Sequence, residues 1–289
     1  HVILGDDLYG GSIRLFTNIY EKNGVEFTYV GTSDLDAVQA AFKPNTKAVY
    51  IETPTNPMME ITDVRALSKM AHDRNALVIV DNTFLSPYFQ KPLHLGADIV
   101  VHSGTKFIGG HHDVISGFTI VKDDELAAQL RLIYKTVGAC LSAFDSWLVI
   151  RGIKTLALRM EQHQKNAIAL AAWLQQEPKV PKVLFPGLPD HPGYEVNKSQ
   201  TTGFGGMLSF EVDSEETAKQ VLEGIQLIQF AESLGGTESL LTYPVTQTHP
   251  DLKPEDAERK GITRRLLRLS VGIEDTDDLV ADLAQAFNK

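Results

Sequence analysis

Cysteine is almost missing from this chain: 289 residues carry one, Cys140. An internal disulfide is therefore excluded, and the composition suits a reducing compartment, so a cytoplasmic location is expected. Long apolar runs are missing too. None reaches the ~18 residues that a membrane-spanning helix needs, so no membrane partner is expected. Positive charge is scarce, with 27 Lys and Arg against 37 Asp and Glu for a net charge of −10. Nucleic acids and anionic lipid surfaces demand clustered cations, and neither is expected as a partner. There is no GxGxxG after a strand, no internal repeat and no low-complexity tract. The adjacent His111-His112-Asp113 would point in different directions on an extended turn and lack spaced further ligands, so no metal is expected.

What is present is a length of 289 residues, enough for about two domains on a prior of ~150 residues each, and a 43% hydrophobic share that supports a substantial core. The first half alternates strand-like and helix-like segments. Residues 25–30 read as a strand, 33–42 as a helix begun by Ser33-Asp34, 48–51 as a strand, 63–75 as a helix and 77–80 as a strand. That order implies a mostly parallel sheet covered by helices. A long helical stretch over residues 144–174 follows, and then a Pro- and Gly-rich linker over 185–193. A strand at 206–212 opens what reads as a smaller α+β unit. The expected division is 1–152 and 153–289.

Two strand ends carry chemistry. The apolar run 97–101 delivers Ser103-Gly104-Thr105-Lys106 to the edge where open α/β sheets bind ligands. A lysine there can condense with an aldehyde, and Ser103 and Thr105, spaced to project on one side, can hydrogen-bond an anionic phosphate. An ordinary solvated loop lysine fits the same residues. The run 77–80 ends in Asp81-Asn82-Thr83. A buried carboxylate is costly unless paired, and a protonated pyridine nitrogen would pair it; an Asp capping the next turn is the alternative. Together, one strand-and-turn unit apart, Asp81 and Lys106 favour pyridoxal 5'-phosphate. Phe84 and Phe107 read as core, Gly109-Gly110 as close backbone packing, and Arg264 and Arg265 as a solvated cluster.

The segments Asp6-Asp7-Leu8-Tyr9-Gly10-Gly11, Glu52-Thr53-Pro54-Thr55-Asn56-Pro57, Asp81-Asn82-Thr83-Phe84, Ser103 to Gly110 and Arg268-Leu269-Ser270-Val271-Gly272 resemble, in order, the transsulfuration enzymes of Cys/Met metabolism. That resemblance implies fold type I of the pyridoxal phosphate enzymes. It makes Lys106 the cofactor-binding and proton-shuttling lysine, Asp81 the ring-nitrogen partner, Thr83, Ser103 and Thr105 cofactor contacts, and Tyr9 a ring-stacking residue with an acid–base role. Asn56 would lie near the ring hydroxyl and the substrate carboxylate, which Arg268 would grip with its planar fork. Ser233, Glu232 and Thr248 would contact the substrate. Enzymes of the family that work at Cγ often carry glutamate where Glu232 stands, while some β-lyases carry tyrosine. The expected activity is therefore cystathionine γ-lyase-type C–S cleavage of a small sulfur amino acid, with cystathionine γ-synthase or β-lyase chemistry as alternatives. An aminotransferase or an inactive assembly subunit are the readings from other classes. The resemblance also implies a homo-oligomer, a tetramer built as a dimer of dimers, and an N-terminal segment upstream of His1 that supplies further phosphate contacts and would hold any targeting signal.

Overall fold

The computed structural model describes residues 1–248 and 254–288. Its first sheet has the order β2-β1-β3-β4-β5-β6. The strands are β1 (Val2–Gly5), β2 (Phe27–Val30), β3 (Ala48–Glu52), β4 (Leu77–Asp81), β5 (Ile99–Ser103) and β6 (Gly117–Val121). All pair in parallel except β6, which runs antiparallel to β5. Between the strands run α1 (Gly10–Leu15), α2 (Leu35–Ala40), α3 (Val64–His72) and α4 (Ser86–Phe89). Asp34 and Asp63 cap α2 and α3 by accepting backbone N–H groups of the first turn, which satisfies donors that a helix start leaves orphaned.

Beyond β6 come α5 (Asp124–Val137), α6 (Ala143–Ile153) and α7 (Leu156–Leu174). The continuous helix expected over 144–174 is in fact broken at Lys154-Thr155. The break lets Arg159, on α7, turn its fork back onto the carbonyl of Gly152 at 2.9 Å. A second sheet, ordered β7-β8-β11-β10-β9, follows: β7 (Lys182–Leu184), β8 (Met207–Glu211), β9 (Gln229–Phe230), β10 (Leu240–Thr242) and β11 (Leu266–Ser270). Its helices are α8 (Tyr194–Gln200), α9 (Glu215–Gly224), α10 (Pro254–Arg259) and α11 (Thr276–Phe287).

Each sheet has its own apolar core. Val49, Ile51, Val78, Val80 and Val100 pack under α2 and α3 residues such as Val38, Val64 and Leu67. Leu208, Phe210, Leu267 and Leu269 pack against α7, α9 and α11. A third cluster joins Met59, Phe84, Phe89 and Phe107 to Met160, Met207 and Leu266. It ties the carboxyl ends of β4 and β5 to the second sheet. Phe84 and Phe107 are thus core, as the sequence implied.

Candidate active site

Adjacent parallel strands end together, and that places the chemistry. β4 terminates in Asp81 and β5 in Ser103. Thr83 staples them: its hydroxyl donates to Asp81 Oδ1 at 2.5 Å, its N–H donates to the same oxygen at 3.0 Å, and its Oγ1 accepts the Ser103 N–H at 2.9 Å. Asp81 Oδ2 accepts the Tyr50 hydroxyl at 3.4 Å. Burial raises the Asp81 pKa, and the donors from Thr83 oppose that shift.

The chain then enters the helical turn Gly104–Ile108, where Lys106 departs from helical geometry with φ −92° and ψ −132°. Its Nζ donates to Ser233 Oγ at 2.9 Å. Burial, and then the Arg268 charge, lower the lysine pKa, which favours the free amine that attacks an aldehyde. The turn is pinned from behind by Arg159, whose Nη1 donates to the Phe107 carbonyl at 2.7 Å. Gly110, at φ +73°, leaves the room that this guanidinium fills. Sequence reasoning missed Arg159; an arginine within an apolar helix run was its one signal. Thr105 Oγ1 accepts the Ser116 N–H at 3.0 Å and donates to the Ser116 carbonyl at 3.2 Å. The latter is long for an O–H donor, so the hydroxyl can rotate toward an anion instead.

Arg268, on β11, is 1% exposed. Its Nη1 donates to Asn56 Oδ1 at 2.8 Å, and its Nη2 donates to the Ser233 carbonyl at 3.0 Å and to Thr242 Oγ1 at 3.1 Å. Its Nε is buried with no partner. Burial pushes its pKa down to about 10. A buried guanidinium with neutral partners and an orphaned donor has the chemistry to receive a carboxylate. Arg268 therefore brings Asn56 and Ser233 together, and through Ser233 it reaches Lys106. The Glu232 carboxylate is exposed and acts electrostatically on both Lys106 and Arg268.

Tyr9 precedes α1, half exposed, with its ring over Gly11, where a side chain would collide with it. Its N–H donates to Glu52 Oε2 at 2.9 Å. Thr248 is buried beside Gly10, on which its carbonyl closes, and its hydroxyl reaches the Pro244 carbonyl at 3.5 Å. His249, which follows in the same segment, lies outside the described residues. Thr242 and Glu52 stood within segments noted in the sequence but had no role there; the register of β10 and β3 supplies it.

His111 Nδ1 meets the Gly109 carbonyl at 2.7 Å, whereas His112 faces Glu238 at 3.7 Å. Among the described residues no group of three or more His, Cys, Asp or Glu could hold a metal ion. Arg264 and Arg265 sit at the surface, paired with Glu215 at 3.0 Å and Glu211 at 3.6 Å. Among the described residues no helix is long and apolar enough to cross a membrane.

The donor set fits pyridoxal phosphate. It combines an amine of lowered pKa, a buried carboxylate held by two adjacent donors, hydroxyls at the β5 end and a guanidinium with an orphaned donor.

Comparison with known proteins agrees. The family model described as Cys/Met metabolism PLP-dependent enzyme matches residues 1–288. The chain is 47% identical to cystathionine beta-lyase of Bacillus subtilis, covering 100% of this chain and 74% of that protein. It is 50% identical to cystathionine gamma-synthase of Haemophilus influenzae, covering 99% and 73%. The crystal structure of cystathionine gamma-lyase from Lactobacillus plantarum in complex with L-serine superimposes with a TM-score of 0.98 at 45% identity, over 100% of this chain and 76% of that one. Relatives of three different activities stand at nearly equal identity, so what they share is the family and the cofactor chemistry: this chain belongs to the PLP-dependent enzymes of Cys/Met metabolism.

Proposed function

We propose that the protein cleaves the Cγ–S bond of cystathionine, releasing cysteine and, after hydrolysis, 2-oxobutyrate and ammonia. Pyridoxal phosphate supplies an aldehyde for the substrate amine and an electron-poor ring that spreads the charge left when Cα loses its proton. The chain supplies the rest. Lys106 Nζ would hold the cofactor and, as a free amine, take the substrate Cα proton, while Ser233 Oγ, 2.9 Å away, keeps that nitrogen in place. Arg268 takes the substrate carboxylate, with Asn56 fixing the plane of its fork through the 2.8 Å bond. Asp81 provides the negative charge beside the ring nitrogen, oriented by Thr83. Thr83, Ser103 and Thr105 stand as cofactor contacts, Tyr9 as the ring-stacking acid–base group, and buried Thr248 as a contact for the substrate side chain.

The observation that carries the choice of Cγ is the Glu232 carboxylate, exposed at the mouth yet close enough to bias both Lys106 and Arg268. γ-Chemistry requires a second proton abstraction, at Cβ, and an acid at the mouth suits both that step and the distal ammonium of cystathionine. Product analysis with cystathionine tests it. Cysteine with 2-oxobutyrate supports Cγ cleavage, whereas homocysteine with pyruvate makes the protein a β-lyase. Net synthesis of cystathionine from an O-acylhomoserine and cysteine makes it a γ-synthase.

The protein works in the cytoplasm as a homo-oligomer on this reading. Support for assembly comes from α5 and α6, which expose Leu132, Ile133, Val137, Phe144, Trp147 and Ile150, an apolar surface typical of an interface. Sedimentation analysis that shows a monomer would remove that part of the proposal.

A further inference from the structure

β3 and β4 set two acids side by side. Their register pairs Glu52 with Asp81 at the carboxyl ends of parallel strands, and Tyr50, two residues earlier on β3, faces the same side and donates to Asp81. Both acids are buried, Glu52 at 4% and Asp81 at 9% exposure. Their hydrogen bonds are unequal. Asp81 accepts three: the Thr83 N–H, the Thr83 hydroxyl and the Tyr50 hydroxyl. Among the described residues Glu52 accepts one, the Tyr9 N–H at 2.9 Å.

Two neighbouring carboxylates in a dry site do not both ionise, and the negative charge settles where the donors converge. We propose that Glu52 and Asp81 share one proton, that it resides on Glu52, and that neutral Glu52 is the positioning residue that seats Tyr9 while Asp81 keeps the single charge. The electrostatics agree. Burial and the charge of Asp81 push Glu52 well above the ordinary carboxylate range; Asp7 adds to that, while the Tyr9 N–H and the more weakly acting Arg268 oppose it. Tyr50, the remaining titratable group on this face, is itself raised well above its ordinary range by burial and stays a neutral donor at working pH.

The consequence concerns charge balance around the cofactor, and it rests on the reading of Asp81 as partner of the ring nitrogen. One carboxylate balances one pyridinium. A second ionised acid would pair with Arg268, whose hydrogen bonds at present go to the neutral groups Asn56, Ser233 and Thr242. It would thereby weaken the receptor for the substrate carboxylate. The proton on Glu52 keeps Arg268 available.

Infrared difference spectroscopy on the full chain loaded with pyridoxal phosphate tests this at pH 8. There Asp7, whose pKa burial raises to about 6, is ionised and contributes no acid band. The expected result is a protonated-carboxyl C=O band that shifts on exchange into heavy water, vanishes in Glu52→Gln and persists in Asp7→Asn. In Asp81→Asn the same band should titrate away at lower pH, because the neighbouring charge is gone. That titration keeps the test decisive if Glu52→Gln fails to fold. No such band at pH 8, or a band that persists in Glu52→Gln and disappears in Asp81→Asn, overturns the proposal. The Asp81 reading fails separately: cofactor affinity unchanged in Asp81→Asn would remove it while leaving the Glu52 band in place.

Discussion

Lys106 and Ser233 meet across 127 residues of chain, Nζ donating to Oγ at 2.9 Å. The Lys106 amine extends from the end of the first sheet, and the hydroxyl that accepts from it comes from a loop of the second. Ser233 sits at φ +99° and Gly235 at φ +78°, a region that costs most residues free energy and that packing must enforce. A Cβ on Gly235 would lie 2.6 Å from the Phe107 nitrogen.

Gly235→Ala is therefore expected to destabilise the protein by at least ~1–2 kcal/mol from the left-handed backbone alone, and to push Ser233 away from Lys106. Chemical denaturation reads the first effect and kcat/KM the second. A variant with both values unchanged would show that the loop does not govern the lysine.

Arg268→Lys keeps the charge and discards the fork. Substrate binding should weaken by ~1.5–3 kcal/mol, the scale of hydrogen bonds to charged groups. A substrate titration on cofactor-loaded protein measures it, with the melting temperature as control for the buried bonds to Asn56 and Thr242. Unchanged affinity would mean that the carboxylate binds elsewhere.

His163 supplies a pH signature. Its Nδ1 meets the Val271 carbonyl at 2.7 Å, its Nε2 is buried without a partner, and its ring packs edge-on against Phe107. Burial pushes its pKa down to about 4, below the ~6.5 of an unfolded histidine. The unfolded chain then binds more protons between those values, so the contribution is complete above pH ~6.5 and is lost as pH falls toward 4, an amount on the order of 3 kcal/mol. His102, also lowered to about 4, titrates in the same sense, and Asp7, raised to about 6, in the opposite one. The comparison is therefore between proteins: His163→Gln should lose less stability than the parent between pH 7 and pH 4.5. Equal losses would contradict a neutral buried imidazole.

Strand ends were the most legible part of the sequence. β-Branched runs closing on Asp81 and Ser103, and aspartates ahead of α2 and α3, are local signals, and the structure carries them with shifts of a few residues. Residues 25 and 26 lie outside β2, and residues 97 and 98 outside β5, where Asp98 instead accepts the Val78 N–H at 2.7 Å. The short β1, the antiparallel β6 and α5 escaped the reading. Asp123 at the start of α5 and Gly138 at its end were signals that could have marked it. Of the site, the motif-borne groups Lys106, Asp81, Asn56 and Arg268 were legible because each sits in a short distinctive segment. Arg159, Thr242 and the role of Glu52 were not, because they come from contacts across 52, 26 and 43 residues, which no local pattern encodes.

The most direct test of the site is covalent. Cofactor-loaded protein reduced with borohydride and mapped by peptide mass should carry its pyridoxyl group on the peptide containing Lys106, and Lys106→Ala should lose both the label and turnover. A label fixed on any other lysine, with turnover surviving in Lys106→Ala, would contradict the account.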